Sequence, residues 1–115
     1  MHELSIVEAL IEQIRRELHR SGQSGRVVRV ELAIGRLSGV HCDSIRFAFE
    51  LLSPGTPVEG AQLDISEPKA VCACRACGAR QEIDELVIQC PLCQSADISI
   101  VEGRDLLLQS IELDD

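Results

Sequence analysis

The chain is predicted to fold as α+β: two helices packed on a three-stranded sheet, with a small cysteine-rich ribbon inserted before the last strand. Three observations carry this expectation. Two segments place apolar residues at three- and four-residue steps, three others alternate in the manner of strands, and residues 69–101 hold five of the six cysteines. Periods of 3.6 and 2 are the signatures of helices and strands that bury one side.

The first helix is read from Leu4, Val7, Leu10, Ile11, Ile14 and Leu18, which form one apolar stripe. Ser5 followed by Glu8 fits a capping box, so the helix is expected to start near Ser5 and to leave residues 1–4 as an exposed lead. Ser21 and Gly22 end it. Residues 26–34 alternate, with Val28, Val30, Leu32 and Ile34 expected inward and Arg29 and Glu31 outward. Residues 43–52 read as the second helix, its inner stripe being Ile45, Ala48, Phe49 and Leu52. Phe47 and Leu51 form a second apolar edge on it. Pro54 and Gly55 stop it. Residues 61–67 are the second strand, with Leu63 and Ile65 inward. Residues 106–113 are the last, with Leu107, Ile111 and Leu113 on one face and Gln109 as the exception. The expected domains are therefore 1–68 completed by 102–115, and 69–101.

Composition narrows the function. The chain has 115 residues, enough for one modest core, and its only aromatics are Phe47 and Phe49. That removes the stacking platforms of single-strand binders. A formal charge of −8 opposes binding to phosphate backbones, so no nucleic-acid partner is expected. No apolar run approaches the roughly 20 residues that span a bilayer. The acidic Met1-His2-Glu3 start is unlike a secretory signal. The expected location is the cytoplasm, with no membrane partner. Cysteines in that reducing compartment read first as metal ligands or free thiols.

The cysteines run Cys74-Arg75-Ala76-Cys77-Gly78, then twelve intervening residues after Cys77, then Cys90-Pro91-Leu92-Cys93. A two-residue gap lets both sulfurs of a pair turn onto one ion. Two such pairs offer zinc four thiolates in a closed tetrahedral shell. A closed shell has no open position for chemistry, so the zinc is expected to be structural. The competing reading is a redox dithiol, which belongs at a strand-to-helix junction rather than on hairpins. Cys72 lies two residues before Cys74 and is a rival ligand with a less usual spacing to Cys77. Cys42 reads as a half-buried thiol.

A His in second position can chelate a metal through the terminal amine of Met1, its own amide nitrogen and its imidazole. The amide of Glu3 completes a square of nitrogens, a set that suits Ni(II) or Cu(II). The large His2 side chain disfavours removal of Met1, which keeps the chelate in register. Residue types alone leave the plain reading open, that His2 is a solvated side chain. His19 on the polar side of the first helix reads as surface.

Further features occur in one order along the chain. They are Met1-His2-Glu3-Leu4-Ser5, Ile34-Gly35, Leu37-Ser38-Gly39-Val40, Arg46-Phe47-Ala48-Phe49-Glu50 and the paired cysteine knuckles. Together they resemble the HypA/HybF family of hydrogenase nickel-incorporation proteins over essentially the whole chain. The resemblance implies a metallochaperone, not an enzyme, with one nickel at the N-terminus and one zinc at the knuckles. It implies delivery of nickel to the large subunit of [NiFe]-hydrogenase alongside a GTPase partner, and in some organisms service to the urease maturation proteins. Carried over, His2 is the principal nickel ligand, Met1 gives its amine, and Glu3 gives a backbone nitrogen or its carboxylate. Cys74, Cys77, Cys90 and Cys93 match the zinc ligands. One departure is His41-Cys42-Asp43, where many relatives have an acidic residue or a Pro-Glu pair. Asp43 and His41 are the candidates there for a supporting contact to nickel. Two other readings remain at this point: a zinc-ribbon interaction module without nickel delivery, and a redox protein.

Overall fold

A computed structural model describes residues 2–114, with the side chain of His2 left out. Met1, one of the expected nickel ligands, lies outside the described residues. The elements run α1 (His2–Ser21), β1 (Arg26–Ile34), α2 (Cys42–Leu52), β2 (Gln62–Ser66), β3 (Ala70–Cys74), β4 (Arg80–Ile83), β5 (Ile98–Glu102) and β6 (Leu106–Asp114). They form two sheets of three strands, ordered β2-β1-β6 and β4-β3-β5. The last strand thus returns to pair beside the first, as the alternating patterns predict. The chain divides into two compact units. One holds the residues up to Leu32, His41–Ile65 and those from Leu108 on; the other holds Ala33–Val40 and Ser66–Leu107.

In the first unit α1 and α2 pack on each other. The expected stripe of α1 buries Val7, Leu10, Ile11, Ile14 and Leu18, and α2 buries Ile45, Ala48 and Phe49. A fully buried side chain of this kind contributes about 1.5–3 kcal/mol relative to exposure. Arg29 on the central strand reaches both neighbours, with Nε 2.6 Å from Asp64 on β2 and Nη1 3.3 Å from Glu112 on β6. The Arg29 hydrogen bond, joined by one from Gln62, holds the Asp64 carboxyl below its usual range.

Four expectations need correction. Among the described residues helix α1 starts at His2, not near Ser5, so Ser5 lies inside the first turns and residues 2–4 are helical rather than an exposed lead. Glu3, in that first turn, favours the earlier start because its charge complements the helix dipole. In β1 the inward residue is Val27, at 0% exposure, while Val28 is half-buried; the alternation shifts phase before Val30. In β6 Leu107 is 53% exposed and points away from the side that Leu106 and Leu108 occupy. Gln109 and Ser110 are both exposed, so the pattern changes phase there and Ile111 and Leu113 resume it. Leu52 is only half-buried. Pattern matching assumes an unbroken period of two, which these two nine-residue strands do not keep.

In the second unit β3 pairs antiparallel with β4 and with β5. Ala70, Cys72 and Ile83 form its buried centre, with Leu37, Val87, Ile98 and Ile100 packed around. Gly35 and Gly103 permit a close crossing of backbones. A Cβ on Gly35 would strike the Gly103 backbone, and one on Gly103, whose φ is +83°, would strike that of Ala70. The amide of Leu37 donates to the Gly103 carbonyl at 2.9 Å across this crossing.

Candidate metal centre

The second unit brings Cys74, Cys77, Cys90 and Cys93 together. Their sulfurs all lie within 4.8 Å of one another, with Cys74–Cys93 at 3.6 Å and Cys77–Cys90 at 3.8 Å. Four sulfurs about 2.3 Å from a tetrahedral zinc stand about 3.8 Å apart. The residues therefore fit the ion that their spacing suggests.

Two turns of one design build the site. Cys74 donates its amide to the Ala79 carbonyl and accepts from the amide of Gly78, both at 2.9 Å. Cys90 repeats this with Ser95 at 2.8 Å and Gln94 at 2.9 Å. The residue four beyond each leading cysteine is left-handed, Gly78 at φ +76° and Gln94 at φ +64°. The role of Gly78 is readable from its lack of a Cβ. That of Gln94 is not, since Gln seldom takes this conformation; the only sequence signal is its equal offset from Cys90. Within the turns the amide of Cys77 donates to Cys74 Sγ at 3.5 Å, and those of Leu92 and Cys93 to Cys90 Sγ at 3.4 Å. These donors stabilise thiolate charge.

Without a cation Cys90 and Cys93 do not share charge evenly. Donation from the Cys93 and Leu92 amides pulls the Cys90 thiol down to about 6. The Ser95 backbone pulls Cys93 the same way, but burial and the thiols of Cys74, Cys77 and Cys90 outweigh it and push Cys93 up to about 12. One anion forms readily and a later one is resisted, an imbalance that a divalent cation removes. Cys72 stands apart from the four. It is 2% exposed, packs with Ala70 and Ile83, and has its thiol pushed up by burial and then by the charges of Cys90, Cys74 and Cys77.

The left-handed turns give a prediction. Gly78→Ala should cost about 1 kcal/mol, because a Cβ disfavours that conformation while meeting no neighbouring atom. It should appear as faster metal loss to a chelator in a protein that still folds. An unchanged rate would mean that the turn is set by the ion alone.

Elsewhere the proposed ligands are spread over the first unit. His2 and Glu3 begin α1, and Glu3 is half-buried. His41 caps α2, Cys42 is its first residue, and Asp43 lies in its first turn. His41 and Asp43 are exposed, and His41 Nδ1 lies 3.2 Å from Ser44 Oγ. His19 is exposed near the other end of α1. Among the described residues only the four cysteines converge closely enough to share an ion.

A helix-bearing α+β unit joined to a four-cysteine ribbon defines a small protein with a site fit to hold a metal ion. Comparison places it further. The family model described as "Hydrogenase/urease nickel incorporation, metallochaperone, hypA" matches residues 1–113. The hydrogenase maturation factor HypA of Chlorobium limicola is 42% identical over 115 residues, covering 100% of this chain and 98% of that one. HypA of Nitrosospira multiformis is 39% identical over 113 residues, covering 98% and 97%. The solution structure of the Ni metallochaperone HypA from Helicobacter pylori superposes with a TM-score of 0.74 at 27% identity, covering 96% of each chain. The chain belongs to the HypA family of metallochaperones for nickel incorporation into hydrogenase and urease.

Proposed function

We propose that this chain binds Ni(II) at its N-terminus and helps insert it into the large subunit of [NiFe]-hydrogenase. A GTPase of the maturation system is its partner, and urease maturation proteins are further partners where urease is made. It works in the cytoplasm and catalyses no reaction itself. Among the described residues no helix is long and apolar enough to cross a membrane. Cys74, Cys77, Cys90 and Cys93 hold a structural zinc, whose binding energy holds the second unit folded.

The observation that carries the nickel reading is the start of α1 at His2, in a chain that matches its family over residues 1–113. The first four amides of a helix have no carbonyl partner within it. The amides of His2 and Glu3 are therefore free to lose their protons to a metal without breaking a helix hydrogen bond. Met1 adds its amine and His2 its imidazole, and nitrogen-rich sets of this kind favour Ni(II). The carboxylate of Glu3 offers negative charge at the same place.

Every one of these donors binds only after losing a proton. An ordinary imidazole titrates near 6.5 and a terminal amine at about 7.7–8.0. Nickel affinity should accordingly drop steeply as pH falls from about 8 to about 6, while zinc on thiolates stays bound. Titration with nickel at both pH values, with zinc measured in parallel, tests this. Equal nickel affinity at the two would exclude the ligand set and leave the ribbon as an interaction module.

A further inference from the structure

A run of positive charge interrupts this acidic chain where α1 turns into β1. Residues 15–26 hold Arg15, Arg16, Arg20 and Arg26 against one acid, Glu17, in a chain whose formal charge is −8. Arg20 is tied to Glu17 at 2.7 Å. Arg15 and Arg26 instead line a cleft of about 640 Å³ within the first unit, bordered also by Leu18, the turn 23–25 and the segment that follows α2. Arg26 forms no ion pair among the described residues, and its Nη2 donates only to the Glu59 carbonyl, at 3.4 Å. Gly60, at φ +77°, leaves room for that guanidinium, which a Cβ there would strike. The Glu59 carboxylate is engaged elsewhere, accepting from the Gly55 amide at 2.8 Å. Arg15 has one loose contact, 3.5 Å to Glu12, between side chains that are each at least half exposed. The segment beyond α2 is fixed in advance by the fully buried Val58. Bonds from the Thr56 amide to the Ser53 carbonyl and from the Glu59 amide to the Thr56 carbonyl, both 3.1 Å, add to this.

We infer that this cleft binds a small dicarboxylate, with one carboxylate at Arg15, the other at Arg26, and the carbon chain against Leu18 and Pro57. A guanidinium fork matches a carboxylate through two parallel hydrogen bonds. The volume is that of a small-molecule site. The side chains of Gln23 and Ser24, exposed and without a hydrogen bond among the described residues, supply further polar contacts. Phosphate fits less well. Helix α1 lines the cleft with its C-terminal half, whose end carries partial negative charge and not the free amides that cradle phosphate. A compact dianion would concentrate its charge there, whereas a dicarboxylate divides its charge between two cations. No aromatic lines the cleft, so a nucleotide base has no stacking platform. The site goes beyond the nickel reading and does not depend on it. It lies toward the other end of α1 and uses neither His2 nor Glu3.

Amide NMR of the zinc-loaded full chain, titrated with malonate, succinate, glutarate and adipate at constant ionic strength, tests this. At least one of these should saturate, with a dissociation constant on the order of 1 mM. The amides of residues 23–26 and 56–60 should shift while those of residues 70–100 stay in place. Acetate, which meets one arginine at a time, and phosphate should each bind on the order of tenfold more weakly. Arg15→Gln and Arg26→Gln should each weaken binding on the order of tenfold, the worth of a charged hydrogen bond. Zinc content and the amides of the buried core should not change in either. Arg26→Lys keeps the charge without the fork and should fall between the wild type and Arg26→Gln. Arg16→Gln is the control, exposed on the same helix but outside the cleft, and should bind normally. No saturation by any of the four dicarboxylates would overturn the assignment. Equal weakening in Arg16→Gln, or acetate or phosphate binding as tightly as the best dicarboxylate, would also overturn it by marking a general anion-attracting surface.

Discussion

Replacing Cys77 or Cys90 with Ser is expected to release zinc and unfold the second unit, while α1, α2 and the β2-β1-β6 sheet persist. The second unit has little else to hold it. Its buried centre is three small or medium residues, Ala70, Cys72 and Ile83, with four partly buried neighbours. Structural zinc in small domains contributes apparent binding energies of about 10–16 kcal/mol, far more than such a core supplies. The first unit keeps its own core of Val7, Ile14, Ile45 and Phe49. Zinc content by elemental analysis and amide exchange along the chain measure the two halves of the result. Cys72→Ala is the control: it should keep zinc, since Cys72 lies outside the sulfur cluster. Zinc loss in Cys72→Ala with retention in Cys74→Ala would exchange the two roles. Nitrogen or oxygen scattering in place of sulfur in X-ray absorption would contradict the four-cysteine site.

Two or three residues added before Met1 should abolish tight nickel binding and leave fold and zinc intact. The added residues convert the amine into a peptide nitrogen and move His2 out of second position, so the chelate loses its most available donor. The buried stripe of α1 begins at Val7 and is untouched. His2→Ala should behave in the same way, and His19→Ala should bind nickel normally, being exposed near the far end of the helix. In cells the extended chain and His2→Ala should both yield hydrogenase without nickel, restored by excess nickel. Tight binding by the extended chain would remove the proposed ligand set. The plain ribbon-module reading expects no sensitivity at this end of the molecule.

The parts of the molecule most legible in its sequence were those governed by short, local chemistry. The stripes of α1 and α2 follow from apolar residues at helical steps, and the cysteine cluster from two gaps of two residues. Features that depend on a third body were not legible. The Ser5–Glu8 pair does not decide whether α1 starts at Ser5 or at His2, because both residues are also accommodated inside a helix that has already begun. The phase shifts at Val28 and at Gln109 reflect what each strand is paired with and covered by. The left-handed Gln94 is imposed by the turn in which Cys90 sits, against the preference of its own side chain. The close approach of Gly35, Gly103 and Ala70 joins positions far apart in the chain, and nothing in a local pattern links them.

The start of α1 at His2 would also set the tenure of the proposed nickel cargo. The first turn of a helix carries about half a positive charge, which repels a cation placed there. Nickel bound here as proposed would be held against that field, by ligands that protons can reclaim and with Glu3 in the first turn to soften the repulsion. Zinc at the four cysteines would sit in the opposite situation, among sulfurs whose charge three backbone amides support. On the proposed reading the protein would keep two metals on different terms: a resident that its surroundings retain, and a passenger at a terminus whose electrostatics favour departure.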